Sequence, residues 1–224
     1  ATPPVLKASA AMTPSPASDL RVNMNLLVQE HVYLTGAATG AAIEGRDADF
    51  KAAAAELDQN GVAISKSIGS VYVPDAEAQF LQIWRAHIGF FVDYAKAAAG
   101  HDDAGKQKAL ANLDGYRNDI DALLTGANPN LPKGSVAELF KGHVEHLTMV
   151  IDDQVAGNSQ KAYTDLQMAA AQSHMIADPL SSAIVAQFPD KFGPAMGMPM
   201  QGDGMSTTVT NMLPAPASAN GSND

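Results

Sequence analysis

Apolar residues recur at every third or fourth position from Leu20 to Phe188, which is the pattern of amphipathic helices. Glycine and proline positions divide this region into six predicted helices. They cover residues 20–44, 47–68, 75–99, 102–124, 135 to the turn at Gly157, and 159–188. Pro179 lies inside the last helix and should kink it, because proline lacks a backbone donor and clashes with the preceding turn.

The six helices pair into three hairpins, over residues 20–72, 75–126 and 135–188. Because the turns within the hairpins are short, neighbouring helices are expected to be antiparallel. The predicted fold class is therefore all-α: an antiparallel helical bundle of six helices in three pseudo-repeated hairpins, with extended N- and C-terminal tails.

Polar residues inside the helices suggest that one hairpin of about 55 residues occurs three times. Each odd-numbered helix carries a histidine on its apolar stripe, and these align as His31, His87 and His146. The even-numbered helices align at Asn60 and Tyr116, at the same distance from the histidine in the first two copies. The third copy fits this alignment only with a gap of one residue.

Both ends of the chain differ in composition from the helical region. Residues 1–19 are rich in proline, alanine and serine and predict an extended arm, and residues 189–224 form a tail rich in methionine, glycine and proline. Such composition predicts disorder. If the ends are ordered, a homo-oligomer or partner subunits contacting residues 1–19 and 193–224 would explain it.

Charge and composition exclude some classes of function. The formal net charge is −10 and lysine and arginine are not clustered, so nucleic acid is not an expected partner. No apolar run approaches the ~20 residues that span a bilayer. The chain has no cysteine, and it begins at Ala1 in a Pro/Ala/Thr stretch, as a mature protein does after signal-peptide removal. We therefore expect a secreted or periplasmic protein.

Two short motifs, one of them repeated, resemble those of a known group of proteins. The repeated Glu-His at residues 30–31 and 145–146, and the closing segment 187–192 with sequence QFPDKF, are similar to those of poorly characterised secreted bacterial helical proteins. In some members of that group, a domain similar to the copper amine oxidase N-terminal domain accompanies the helical part. The resemblance covers residues 20–192 and implies a helical fold and an association with copper.

Histidines on the apolar stripes are the main candidates for metal ligands, because imidazole binds Zn, Cu, Fe and Ni and a bundle can bring side chains of facing helices together. The candidate set is His31, His87, His143, His146 and His174. The leading ligands are His143, His146 and His174, and Asp178, one turn later, could be a further ligand or orient one. The alternative is that each imidazole only satisfies a hydrogen bond in the core, for example with Asn60 or Tyr116.

Methionines in the C-terminal tail are the second candidate. Met196, Met198 and Met200 alternate with glycine and proline, and Met205 follows. Thioethers are soft ligands that select Cu(I), so the tail predicts copper capture. The alternative is that these side chains are incidental or contact a partner, as methionine often does.

No catalytic motif supports an enzyme. A ferritin-like di-iron centre needs Glu-x-x-His, which does not occur, and haem held without covalent bonds between histidines is left open. The leading hypothesis is an exported, non-enzymatic copper-binding protein that handles or sequesters the metal. The alternative is a structural or accessory subunit of an extracellular or periplasmic assembly, held by its terminal arms.

Overall fold

The computed structural model describes residues 15–193, and this part of the chain is helical almost throughout. Its eight helical segments are α1 (Pro16–Ile43), α2 (Asp47–Gly69), α3 (Pro74–Ala99), α4 (Asp103–Ala127), α5 (Ser135–Val155), α6 (Ser159–Ala171), α7 (Ser173–Gln187) and the single turn α8 (Pro189–Phe192). The predicted all-α class is confirmed for these residues. The remaining parts of both predicted tails, including Met196, Met198, Met200 and Met205, lie outside the described residues.

The helical region extends further at each end than the sequence predicted. Helix α1 begins at Pro16 because Ser15 and Ser18 form a capping box and proline suits the first helical position. Residues 16–19 were therefore wrongly assigned to the extended arm. At the other end, residues 189–192 were assigned to the tail, but they form α8 and bury the side chain of Phe192.

The last predicted helix is divided in two, and the division is not at Pro179. Helix α6 ends before Gln172, whose carbonyl accepts the amide hydrogen of Met175 at 2.8 Å in a tighter turn. Pro179 lies within α7 on its exposed side. There the carbonyl of Met175, which proline leaves without a helical donor, can bond water instead. The bend at Gln172 lets α7 pack along α1.

Equal intervals recur along the chain. The starts of α2, α4 and α6 are 56 residues apart. The turns that precede them contain Gly45, His101 and Gly157, at the same interval, and all three residues have a positive φ of 68°, 53° and 71°. Glycine adopts this left-handed conformation without steric cost, whereas histidine does so with strain.

The core is built around three inner helices. Helices α1, α3 and α5 contact one another in pairs, α2 bridges α1 and α3, α4 bridges α3 and α5, and α6 with α7 bridges α5 and α1. Two apolar clusters fill the interior. One includes Val28, Trp84 and Phe140, and the other includes Val32 and Leu147. On each inner helix, a histidine lies between the residues of the two clusters.

Across residues 15–193, no helix combines the length and the apolar character that crossing a lipid bilayer would require.

Candidate metal centre

Each inner helix contributes one histidine to a common point in the core. His31 comes from α1, His87 from α3 and His143 from α5. His31 and His87 are 56 residues apart, and the same interval separates His87 from His143. One turn earlier on the same helices, Val28, Trp84 and Phe140 are also spaced by 56 residues and buried. The third histidine of the series is therefore His143, and the alignment needs no gap.

The three imidazoles are close enough to share a metal ion. One ring nitrogen from each lies within 4.8 Å of the other two. The Nε2 atoms of His31 and His87 are 3.3 Å apart. Two nitrogens bound tetrahedrally to one ion at ~2.0–2.1 Å would be separated by ~3.3–3.4 Å. The first pair already has this separation, which is also that of a hydrogen bond between the two rings.

Aromatic residues surround the three imidazoles and exclude water. The ring of Trp84 lies 4.8 Å from that of His31 and 4.6 Å from that of His87, and Tyr116 stacks on His87 at 4.4 Å. Phe91 and Phe140 meet His143 edge to face. His31 and His87 have no exposed surface, and the exposed fraction of His143 is 8%.

Burial keeps all three imidazoles neutral. Desolvation, followed by repulsion from the neighbouring imidazoles, places the pKa of His31 well below its ordinary value of 6.5. Desolvation also places the pKa of His87 well below 6.5. For His143, desolvation and then repulsion from His146 lower the pKa to about 4. At neutral pH the cluster therefore offers nitrogen lone pairs, which metal ligation requires.

Hydrogen bonds orient one ring and leave several polar atoms without partners. The Nδ1–H of His87 donates to the carbonyl of Trp84, so the Nε2 lone pair of neutral His87 faces His31. Within the described region, four buried polar atoms of the cluster have no hydrogen-bond partner: His31 Nδ1, His143 Nε2, Trp84 Nε1 and Tyr116 Oη. Buried polar atoms are normally satisfied; a free lone pair on an imidazole nitrogen suits a metal ion, whereas the N–H of Trp84 and the O–H of Tyr116 are donors that a cation does not pair with.

The hydrogen bonds to Asn60 and Tyr116 that the alternative named do not form, although His87 does donate to a backbone carbonyl. The side-chain amide of Asn60 donates to the carbonyl of Leu27 at 2.9 Å and to Glu30, not to an imidazole. Tyr116 stacks on His87, but its hydroxyl has no partner among residues 15–193. Desolvation raises the pKa of Tyr116 well above 10, so the phenol stays protonated.

The remaining predicted ligands lie outside the three-histidine group. His146 is partly buried, its Nδ1 donates to the Gly142 carbonyl at 2.6 Å, and its Nε2 is 3.3 Å from the amide nitrogen of Gln172. His174 is exposed and bonds the Ala171 carbonyl at 2.5 Å.

Asp178 is held by an ion pair rather than by a histidine. It accepts hydrogen bonds from the guanidinium of Arg21 and, at 2.7 Å, from the side-chain amide of Asn25. The Arg21 hydrogen bond lowers the pKa of this carboxyl. Arg21 and Asn25 are both on α1, so Asp178 joins α7 to α1 and is not part of the histidine cluster.

Trp84 is the neighbour that sequence reasoning missed. It was not assigned a role, although it contacts two of the three imidazoles and orients His87 through its carbonyl. The sequence did contain a sign of its position, because Trp84 lies 56 residues after Val28 and 56 residues before Phe140.

A scan against protein-family models and searches of curated proteins and of solved structures found no match to the chain.

Proposed function

We propose that this chain is an exported, non-enzymatic metal-binding protein that holds one copper ion between His31, His87 and His143. The observation that carries this proposal is the meeting of three neutral, buried imidazoles whose nitrogens lie within 4.8 Å of one another. Two of these imidazoles each leave one buried ring nitrogen without a protein partner, His31 Nδ1 and His143 Nε2, which is costly in a dry core. A cation would coordinate the lone pair of one ring nitrogen from each histidine.

The charge of the site favours Cu(I) over divalent ions. The group consists of three neutral imidazoles, and no carboxylate in residues 15–193 belongs to it. The bound ion would therefore keep its full charge in a desolvated interior. The cost of burying an ion grows with the square of its charge, so a monovalent ion is favoured over Zn²⁺ or Cu²⁺. Cu²⁺ also prefers a tetragonal arrangement, which three converging ligands do not provide.

The interval of 56 residues supports a finer view of the architecture, in which three copies of one antiparallel hairpin surround the ion. Each copy would supply one histidine from its inner helix and one outer helix that closes the bundle. The equal spacing of the histidines, of the outer-helix starts and of the three positive-φ turns supports this view.

Metal analysis of protein purified without chelator or affinity tag tests the proposal. We expect one copper per chain, and a higher melting temperature when Cu(I) is added to the metal-free protein. His143→Gln should lose the ion, whereas His174→Gln, a control on the exposed surface, should keep it. Substoichiometric copper, zinc and iron, together with no change in melting temperature, would remove the proposal.

The methionine tail would be a second, separate copper site. Met196, Met198 and Met200 offer thioethers that select Cu(I). A chain truncated after Gly193 should keep one copper per chain and lose any additional Cu(I) that the full chain takes up. If truncation also removes the first ion, the assignment of that ion to the histidines is wrong.

A second candidate function is a subunit of an extracellular or periplasmic assembly. The observation that favours it is an apolar stripe on the outside of α1, where Val22, Leu26 and Tyr33 are 57%, 61% and 46% exposed. Exposed apolar patches often mark contacts between proteins. Sedimentation of the full chain and of a chain without residues 1–14 and 194–224 tests this candidate, since loss of assembly without loss of copper would favour it.

A further inference from the structure

One residue of the histidine cluster lines a groove at the surface. His31 and His87 have no exposed surface, whereas His143 is 8% exposed. The groove has a volume of about 580 Å³ and lies between α5 and the junction of α6 with α7. It is therefore the place where an ion could approach the cluster from solvent.

A second histidine lines the groove beside His143. His146 lies one turn after His143 on the same side of α5 and lines the groove. Because its Nδ1 donates to the Gly142 carbonyl, the Nε2 of neutral His146 carries the lone pair. That lone pair accepts a bond from the side-chain amide of Gln172 at 3.3 Å, a long contact to an exposed side chain. An arriving ion can displace Gln172 without disturbing the core.

The charged residues that line the groove are the carboxylates of Glu138 and Glu145 and the ammonium of Lys141, and three further side chains add possible ligand atoms. Met175, at the bend between α6 and α7, is more than half exposed and adds a thioether to the wall. The hydroxyls of Ser135 and Ser173, which also line the groove, are buried, and no protein atom in the described region partners them. The groove therefore carries polar groups beside His143, whose own Nε2 is buried and has no partner among residues 15–193.

We propose that this groove is the route by which Cu(I) reaches the buried cluster, with the Nε2 of His146 as its first ligand. The ion would first be held by His146 and His143, and would then exchange its bond to His146 for bonds to His31 and His87 while keeping its oxidation state and its bond to His143. This inference rests on the proposed copper function. In this proposal His146 speeds the uptake of Cu(I) but is not a ligand of the ion in the final site.

Transfer of Cu(I) from its bicinchoninate complex to the full-length metal-free protein tests the proposal, because the absorbance of the complex reports both the rate and the extent of transfer. We expect His146→Gln to slow transfer at least tenfold while the extent at equilibrium changes less than twofold. His174→Gln should change neither quantity. An unchanged rate would overturn the proposal, and so would a reduced extent, which would make His146 a ligand of the final site.

A second variant tests the route without altering a ligand. Gly142 lines the groove, and an added Cβ would lie 3.6 Å from Gln172 Oε1, an ordinary contact distance. Gly142→Leu should therefore fill the groove and slow Cu(I) transfer. Gly89→Leu is the matched control, because Gly89 is an exposed helical glycine with no atom within 4 Å of an added Cβ.

Equal transfer rates in the two glycine variants would show that the ion takes another route. A wild-type protein that takes up no Cu(I) would instead refute the proposed function and this inference with it.

Discussion

Acidification of the metal-free protein should destabilise it in a pH range set by the buried imidazoles. In the unfolded chain, the imidazole of His143 titrates near 6.5, whereas in the folded chain its pKa is about 4. Between these two values only the unfolded chain binds the proton. The unfolding free energy is therefore unaffected by the titration of His143 above about pH 6.5, and it falls as the pH is lowered from 6.5 towards 4.

The expected loss is large for one side chain. The difference between 6.5 and about 4 converts to about 3 kcal/mol of unfolding free energy by pH 4, at ~1.4 kcal/mol per pH unit. His31 and His87, whose pKa values are also well below 6.5, add losses of the same sign. Domains of this size are stable by about 5–15 kcal/mol. Acid unfolding should therefore begin at a pH where most carboxylates are still ionised.

Urea unfolding followed by circular dichroism, at several pH values from 7 to 4 in the presence of a chelator, measures this loss. The informative quantity is the change of the unfolding free energy with pH, and not its absolute value at any one pH. His143→Gln removes one titrating imidazole, so its unfolding free energy should fall by about 3 kcal/mol less than that of the wild type over this range. His174→Gln, at an exposed position, should follow the wild-type slope.

Two outcomes would refute this reasoning. If the wild type and His143→Gln lose the same free energy between pH 7 and 4, His143 is not held neutral by burial. If the metal-free wild type is equally stable at pH 7 and pH 5, none of the three imidazoles is buried in the manner described.

Three further variants test separate parts of the structure. His101→Gly should raise the unfolding free energy by about 1 kcal/mol in urea titrations, because histidine holds a left-handed φ of 53° that glycine adopts freely. In the same assay the Gly36→Ala protein should be about 1–2 kcal/mol less stable than the Gly115→Ala protein. The Cβ added at Gly36 would lie 2.8 Å from Cδ1 of buried Leu166, whereas no atom lies within 4 Å of a Cβ added at Gly115. Asp178→Asn should cost about 1 kcal/mol, less in high salt, and leave the copper content unchanged, because Asp178 pairs with a guanidinium outside the histidine cluster; loss of copper would return it to the ligand set.

Helix positions could be predicted well because the signals that determine them are local. Gly45, Gly100 and Gly157 each end a helix or form the turn that follows it, as the sequence predicted. Apolar periodicity identified the buried faces of the helices between these turns. The boundary at residue 172 was missed because the stronger local signal is Pro179. Proline does not divide the helix here because Pro179 lies on the exposed face of α7.

The choice between His143 and His146 could not be made from local pattern. The two positions differ by 300° about the helix axis, or 60° on the helix surface, and both fall on the apolar stripe. Which one faces the other histidines depends on the rotation of α5 against α1 and α3, and tertiary packing determines that rotation. The constant interval of 56 residues leads to His143, whereas the alignment of the three hairpins placed His146 with His31 and His87 and needed a gap of one residue.

The position of Trp84 has a practical consequence. It is the chain's single tryptophan, and its indole ring is in contact with two of the three imidazoles. An ion held by those imidazoles would alter the surroundings of the indole, so the intrinsic fluorescence of the unlabelled protein should report whether the cluster is filled.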